Sequence, residues 1–392
     1  MRKCSYCAFL SGSADEEARE HYVSVLTDEI ALAAGAAQNT VLETIYFGGG
    51  TPTVLTDDQL ERIMNAVRGN FTIADDTEIT LEANPGTLTD SAGGNRFKTL
   101  RSIGFSRLSM GVQSMNDERL AFLGRIHSSE DVRRDVRLAR EAGFDNINLD
   151  LIFSVPGETG DDALSDAEAI AALEPEHISC YSLQLEEGTR LYLMADEGLI
   201  TEVPDEEDRD TYHRICSFLK DAGYEHYEIS NFARRLPGAS PDDFSPFRSR
   251  HNSGYWDMSD YIGTGLGSSG FEGSVRYRNV SSPEEYTRLI AREALPREDE
   301  HLNSEFDNVS EAVFTGLRRS EGISYAEAVR FIDGAERTGG RTAQEIFWQY
   351  FPGARDEAES FAASGHFIID EEGLRLTEKG IDISNRIMAL FV

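Results

Sequence analysis

The chain opens MRKCSYCAF, and its first reactive groups are the two thiols of a Cys-x-x-Cys pair, Cys4 and Cys7. Two thiolates at that spacing can form half a zinc site, a redox dithiol or part of an iron–sulfur site. Zinc would need a second Cys/His pair, and none of the 8 histidines forms one with helical or knuckle spacing. The next candidate is the glycine run of YFGGGTPT, where Gly49 and Gly50 precede Thr51. Glycines after a strand make a tight turn, or let a ligand come close to backbone N–H donors. Polar side chains then recur late in otherwise apolar runs: Glu82 and Asn84 in EITLEANPG, Gln113 in RLSMGVQS, Asp150 in NINLDLIFSVPG, Gln184 and Glu186 in HISCYSLQLEEGT. One such residue is a misread loop boundary; the same pattern in strand after strand marks a site.

Something must bring these groups together, and the periodicity supplies it. From Glu43 to about Ala233 the apolar runs, beginning with TIYFGGG and ending with YEHYEISNFA, alternate with amphipathic stretches such as TDDQLERIMNAVRGNF and SSEDVRRDVRLAREAGF. Several of these open on Thr, Ser or Asp and close near Gly, as capped helices do. The alternation predicts βα units on a parallel sheet, and six units predict a full or partial barrel. In such a barrel the C-terminal strand ends form one rim, where the polar residues fall. A redox dithiol expects a thioredoxin-like context, which a barrel does not supply.

At 392 residues the chain is too long for one small core. No run approaches the roughly 20 apolar residues of a spanning helix, and MRKCSYCAFLSG is too short and polar for a signal peptide. The net charge of −33 disfavours nucleic-acid phosphates and suits solubility or an acid-biased proteome. Four cysteines (Cys4, Cys7, Cys180, Cys216) argue against a disulfide framework and for a reduced, cytoplasmic protein, with the last two in apolar patterns that read as core.

Beyond 233 the character changes. RRLPGASPDDFSPFRSR reads as a loop or insertion, and HNSGYWDMSDYIGTGLGSSGFEGSVRYRN as aromatic, Gly-rich extended structure against the barrel. From about 284 a helical domain follows, ending in a helix, two strands around Glu-Glu-Gly and a helix, as in a winged helix. Such modules commonly bind DNA, but residues 301–392 carry 16 acidic against 9 basic side chains, so no nucleic-acid partner is expected. The expected organisation is residues 1–235 as barrel, 236–285 as insertion and Gly-rich segment, and 286–392 as helical C-terminal domain.

The segments CSYCAF, YFGGGTPT, EITLEANPGTL, LSMGVQS, FLGRIH, NINLDLIFSVPGET and YSLQLEEGT, in this order, resemble the radical S-adenosylmethionine (SAM) enzymes. Within them the chain resembles the anaerobic coproporphyrinogen III oxidase branch, through the C-terminal GLRRSEGI and LRLTEKGIDISNRI. The resemblance implies an α/β partial (β/α)6 radical SAM barrel followed by a small, mostly helical, winged-helix-like domain. It implies a 4Fe-4S cluster on Cys-x3-Cys-x2-Cys, of which Cys4, Tyr6 and Cys7 match the second half. The first cysteine and the first strand are expected upstream of Met1; a degenerate, cluster-free protein is the alternative. Three thiolates leave one iron open for SAM, whose reductive cleavage gives a 5′-deoxyadenosyl radical.

The same resemblance implies a SAM site of Tyr6, Gly49, Gly50, Thr51, Glu82, Gln113, Arg125, Asp150 and Gln184. Glu82 or Asp150 suits ribose hydroxyls, and Arg125 suits a carboxylate. Alone, Asp150 reads more readily as a helix cap and Arg125 as a surface ion pair. No catalytic residue is assigned. Oxidases of the branch carry a further cysteine after the cluster motif; Ala8-Phe9 stand here instead. The heme chaperones of the branch have Cys-x-Tyr-Cys-x-Phe and His-Asn-x-x-Tyr-Trp, and HNSGYW matches the latter in full. That implies heme as cofactor or cargo at His251, Tyr255 and Trp256, with respiratory membrane proteins as recipients and a flavodoxin or ferredoxin as electron donor. It also implies a cytoplasmic protein, or one peripheral to the membrane. The alternative is oxygen-independent coproporphyrinogen III oxidation. Two departures bear on the heme loop: the insertion around LPGASPDDFSPF, and Ser268-Ser269 in GLGSSG where relatives often have Ala-His.

Overall fold

The structure is a computed structural model describing residues 3–10, 12, 14–37, 40–89, 95–240, 243–332 and 340–392. Met1, upstream of which the first cysteine is expected, and Pro241-Asp242 of the insertion lie outside the described residues. Helix α1 (Glu16–Ala36) comes first. Strand and helix then alternate as β1 (Val41–Phe47), α2 (Asp57–Asn70), β2 (Thr72–Ala83), α3 (Phe97–Ile103), β3 (Arg107–Gln113), α4 (Asp117–Phe122), α5 (Ser129–Glu141) and β4 (Ile147–Phe153). There follow α6 (Gly160–Ala171), β5 (His177–Ser182), α7 (Arg190–Asp196), α8 (Asp205–Asp221), β6 (Tyr224–Glu228) and β7 (Asn231–Arg234). Thr56, Ser128 and Thr159 close capping boxes on α2, α5 and α6, satisfying backbone N–H groups that would otherwise be orphaned.

The sheet runs β1-β2-β3-β4-β5-β7-β6, parallel through β5. The partial barrel and the helical C-terminal part are as the sequence leads one to expect. The segment 224–233, which reads as one sixth strand, is instead an antiparallel hairpin whose second arm, β7, lies beside β5. Two strands joined by a short turn return at once on each other, so no helix crosses over between them.

Alternation gives the sheet two opposite faces. Ile45, Ile79, Leu81, Leu108, Met110, Ile147, Leu149, Leu151 and Ile178 enter one apolar core with the helices. The other face is largely polar, with Ile152 of β4 an apolar exception. Register aligns Glu82, Ser109, Asn148 and His177 across four strands. Asn148 donates to Ser109 Oγ at 2.8 Å and to Asp150 Oδ1 at 2.7 Å. Buried His177 spans Asn148 Oδ1 at 2.6 Å and the Tyr227 hydroxyl at 2.8 Å, and that hydroxyl accepts the Ser249 N–H. Burial, with Arg107 nearby, holds the His177 pKa well below its ordinary value, so the ring is neutral with one donor and one acceptor.

Past the barrel come α9 (Arg250–Trp256), β8 (Ser269–Glu272), β9 (Val275–Asn279), α10 (Pro283–Ile290) and β10 (Arg297–Leu302). HNSGYW, which reads as extended, is thus helical, started by Ser249 capping the Asn252 N–H. Strands β8–β10 form a small antiparallel sheet. Buried Glu29 of α1 ties it down, accepting from Gly265 N, Asn279 Nδ2 and the Tyr286 hydroxyl. The remainder is α11 (Glu305–Gly316), β11 (Ile323–Ser324), α12 (Tyr325–Val329), α13 (Ala343–Tyr350), α14 (Arg355–Ala363), β12 (Phe367–Ile369), β13 (Gly373–Leu376), α15 (Glu378–Ile381) and α16 (Ser384–Met388). Its three short strands pair β11-β13-β12, over a core containing Phe347, Trp348 and Phe391. Cys180 is buried in the main core and Cys216 packs against it. Among the described residues no helix is long and apolar enough to cross a membrane.

Replacing His177 by Phe keeps a ring of similar shape but takes one buried hydrogen-bond partner from Asn148 Oδ1 and one from the Tyr227 hydroxyl. Each lost buried partner costs about 1–3 kcal/mol, so urea unfolding is expected to show a loss of about 3 kcal/mol. An unchanged midpoint would contradict the network.

Candidate functional site

At the end of β2 the Glu82 carboxylate accepts the Tyr46 hydroxyl on Oε1 at 2.7 Å and the Gly49 N–H on Oε2 at 3.1 Å. Gly48 allows this. A Cβ there would stand 2.3 Å from Tyr46 Cε1 and 2.7 Å from Glu82 Cδ. Loss of water raises the Glu82 pKa to about 7, with Asp150 adding to the rise against the Tyr46 hydroxyl and the Gly49 and Gly50 amides. Asp150 is pushed up by burial too, opposed by Asn148, Arg107 and Arg125.

Arg125 organises the rest of the rim. Its Nη2 donates to Asn84 Oδ1 and to the Gly111 carbonyl, both at 2.5 Å, while Nη1 stands 3.5 Å from Cys4 Sγ. Asn84 Nδ2 donates onward to Thr51 Oγ1 at 3.0 Å. Gly111 leaves the room: a Cβ would meet Gln113 Nε2 at 2.8 Å and Arg125 Nη2 at 3.2 Å. Gln113 closes β3 in the left-handed region, φ 70°, and its buried Oε1 has no partner among the described residues. A buried amide oxygen without a donor is the kind of group a ligand satisfies.

Backbone bonds dock the Cys-x-x-Cys loop here. The Ser5 N–H donates to the Leu123 carbonyl at 2.9 Å, and the Leu191 N–H to the Ser5 carbonyl at 3.0 Å. Tyr6 packs against Leu123, Ile152, Val155 and Leu191, and burial keeps its phenol protonated well above the ordinary range. Cys4 and Cys7 are half-buried free thiols in one turn.

Residues 1–170 match the family model of the radical SAM superfamily. Over 390 residues the chain is 32% identical to the heme chaperone HemW of Lactococcus lactis, covering 99% of this chain and 94% of that one. It is equally 32% identical to the heme chaperone HemW of Bacillus subtilis, over 99% and 96% of the two chains. The chain belongs to the HemW family of radical SAM proteins. A radical SAM structure, the Escherichia coli coproporphyrinogen III oxidase HemN, superposes with a TM-score of 0.80 over 100% of this chain and 87% of that one. At 22% identity that likeness shows the fold.

The rim gathers Gly49, Gly50, Thr51, Glu82 and Gln113 at the C-terminal ends of β1 to β3, with Asp150 inside β4, Arg125 from the loop between α4 and α5, and Cys4, Tyr6 and Cys7 from the segment before α1. Asp150 lies inside β4 and caps no helix; Arg125 is half-buried on three partners and is no surface ion pair. Gln184, read as late in a strand, is exposed beyond the end of β5. Asn84, Gly48, Gly111 and Tyr46 join the rim beyond the SAM residues that the resemblance implies, although a glycine inside the β-pattern of RLSMGVQS is a signal of close approach.

The HNSGYW residues lie behind the rim rather than on it. His251 Nδ1 bonds Thr44 Oγ1 and Nε2 bonds the Tyr255 hydroxyl, both at 2.9 Å. The imidazole stacks on the Tyr46 ring at 4.6 Å and 15°. Trp256 lies beneath the Arg318 guanidinium, 4.4 Å from ring centroid to Cζ. The family implies a 4Fe-4S cluster on three thiolates, of which the residues present supply two. Among the described residues no group of three His, Cys, Asp or Glu side chains is placed to hold a metal ion. For SAM the fit is better: Glu82, Asp150 and the unpaired Gln113 Oε1 form a ready polar receptor.

Glu82 titrates higher folded than unfolded, so the folded state binds the extra proton. Stability therefore falls as pH rises from about 4.5 to about 7 and is flat above. Glu82→Gln removes that dependence. Urea unfolding is expected to show the variant gaining about 2 kcal/mol on the wild type between about pH 5 and pH 8. A constant difference between the two would contradict the raised pKa.

Proposed function

We propose that this protein is a radical SAM-type heme chaperone that binds heme and delivers it to respiratory proteins at the membrane. The observation that carries this reading is kinship over 99% of the chain with proteins named heme chaperone HemW. The complete HNSGYW motif and Ala8-Phe9 after Cys7 support it.

In this reading the rim holds SAM. Glu82 and Asp150 take ribose hydroxyls or the ammonium, Gln113 Oε1 accepts a further donor, and Arg125 faces a carboxylate, charge-assisted contacts that fix the ligand's orientation. Gly49, Gly50 and Thr51 line the methionine end. When bound, SAM supplies radical chemistry, with a flavodoxin- or ferredoxin-type electron donor. Cys4 and Cys7 contribute two thiolates toward the cluster.

In this reading heme docks beside α9. Tyr255 lines a cavity of about 370 Å³ with Met258, Tyr261, Phe271 and Arg276. Aromatic faces suit a flat macrocycle and Arg276 suits a propionate, although it already pairs with Glu311. For His251 to ligate the iron through Nε2, its bond to Tyr255 must first open. The protein acts in the cytoplasm or at the membrane surface.

Titrating heme into the purified protein is expected to give a saturable Soret band at one heme per chain. Incubation with coproporphyrinogen III, SAM and a reductant is expected to form no protoporphyrinogen. Turnover without stoichiometric heme binding would overturn the reading in favour of oxidative decarboxylation.

A further inference from the structure

The last motif before the C-terminal part, HNSGYW, enters the barrel at a specific place. The Arg250 and His251 N–H groups both donate to the Glu78 carboxylate, at 3.3 and 3.2 Å, which docks the start of α9 on β2. Tyr227 holds Ser249, the N-cap, from the other side. His251 is thereby laid flat on Tyr46, whose hydroxyl donates to Glu82. Both imidazole nitrogens are engaged, on Thr44 and Tyr255, so the ring can neither flip nor tilt without losing a hydrogen bond. Burial and Arg107 lower the His251 pKa to about 4, leaving the imidazole neutral near pH 7.

We propose that His251 is a positioning residue of the rim: its imidazole braces the Tyr46 phenol in line with the Glu82 carboxylate and so sets the affinity for SAM. This rests on the reading of the rim as a SAM site. Tyr46 reaches Glu82 from the neighbouring strand, past the bare backbone of Gly48, and the His251 imidazole lies flat against its ring face. Take the imidazole away and the phenol gains room to turn from Glu82, which then keeps the Gly49 N–H alone of these two donors. A ring–ring contact is worth about 0.5–1.5 kcal/mol, or about two- to tenfold in affinity. Because the contact uses the face of the ring, a phenyl group does the same work without any nitrogen.

Three variants separate this role from iron ligation. SAM alone is titrated calorimetrically into wild type, Tyr46→Phe, His251→Ala and His251→Phe, and heme is titrated in parallel by its Soret band. Tyr46→Phe and His251→Ala are expected to weaken SAM by about five- to tenfold, while His251→Phe stays within about twofold of wild type. Equal SAM affinity in His251→Ala and wild type overturns the proposal, as does a His251→Phe defect as large as that of Ala. Loss of the Soret band in His251→Phe with SAM affinity constant across the series makes His251 an iron ligand instead. Absence of SAM binding in the wild type overturns the reading of the rim itself, and the proposal with it.

Discussion

A carboxylate in a barrel interior has to be fed with donors, and in this molecule the feeding of Glu82 organises everything around it. Its oxygens take a phenol from β1 and a glycine amide from the loop that follows, and neither could reach it past a Cβ at residue 48. Asp150 two strands away raises its proton affinity rather than satisfying it. The result is a group whose charge is easily gained and lost near neutral pH, while the neighbouring strand β3 carries Gln113 Oε1, an acceptor with no partner among the described residues. Such a pair is costly for folding and useful for holding a polar, cationic ligand.

The rest of the interior follows from the same demand. Serine, asparagine and histidine line up across β3, β4 and β5, each satisfying the next, and end on Tyr227 and the cap of α9. A polar concave face needs complete pairing, because a half-paired network costs more than an apolar one. It also explains why the HNSGYW segment coils into a helix: Ser249 caps it and Glu78 accepts its first N–H groups inside the barrel. Through His251 and Tyr46 that helix is in contact with the rim.

Much of this was legible. The βα alternation, the rim residues after GGG, Glu82, Gln113 and Asp150, and the two strands around Glu-Glu-Gly could be read because helical and extended periods differ. What could not be read follows physically. YEHYEISNFA looks like one strand because its turn, around Ile229-Ser230, carries no glycine or proline. HNSGYW has no 3.6-residue apolar period, and its helix depends on partners about 170 residues away. Glu78, Arg107 and His177 stand before the strand ends, where a sequence gives no sign that the concave face is polar below its rim as well. His251 read as free for iron because a sequence shows a histidine's neighbours along the chain and not the hydroxyls that occupy its nitrogens.

Glu82 as the receptor for SAM is the point on which the account turns, and its titration makes it measurable. Dissociation constants for SAM are compared in wild type and Glu82→Gln at about pH 5.5 and about pH 8.5, so that the ligand's own ammonium titration cancels in the ratio. Ionised Glu82 accepts charge-assisted hydrogen bonds and attracts the cationic ligand, so the wild type is expected to gain on the variant by about tenfold as pH rises through about 7. A ratio that stays constant across that range would contradict the assignment of Glu82.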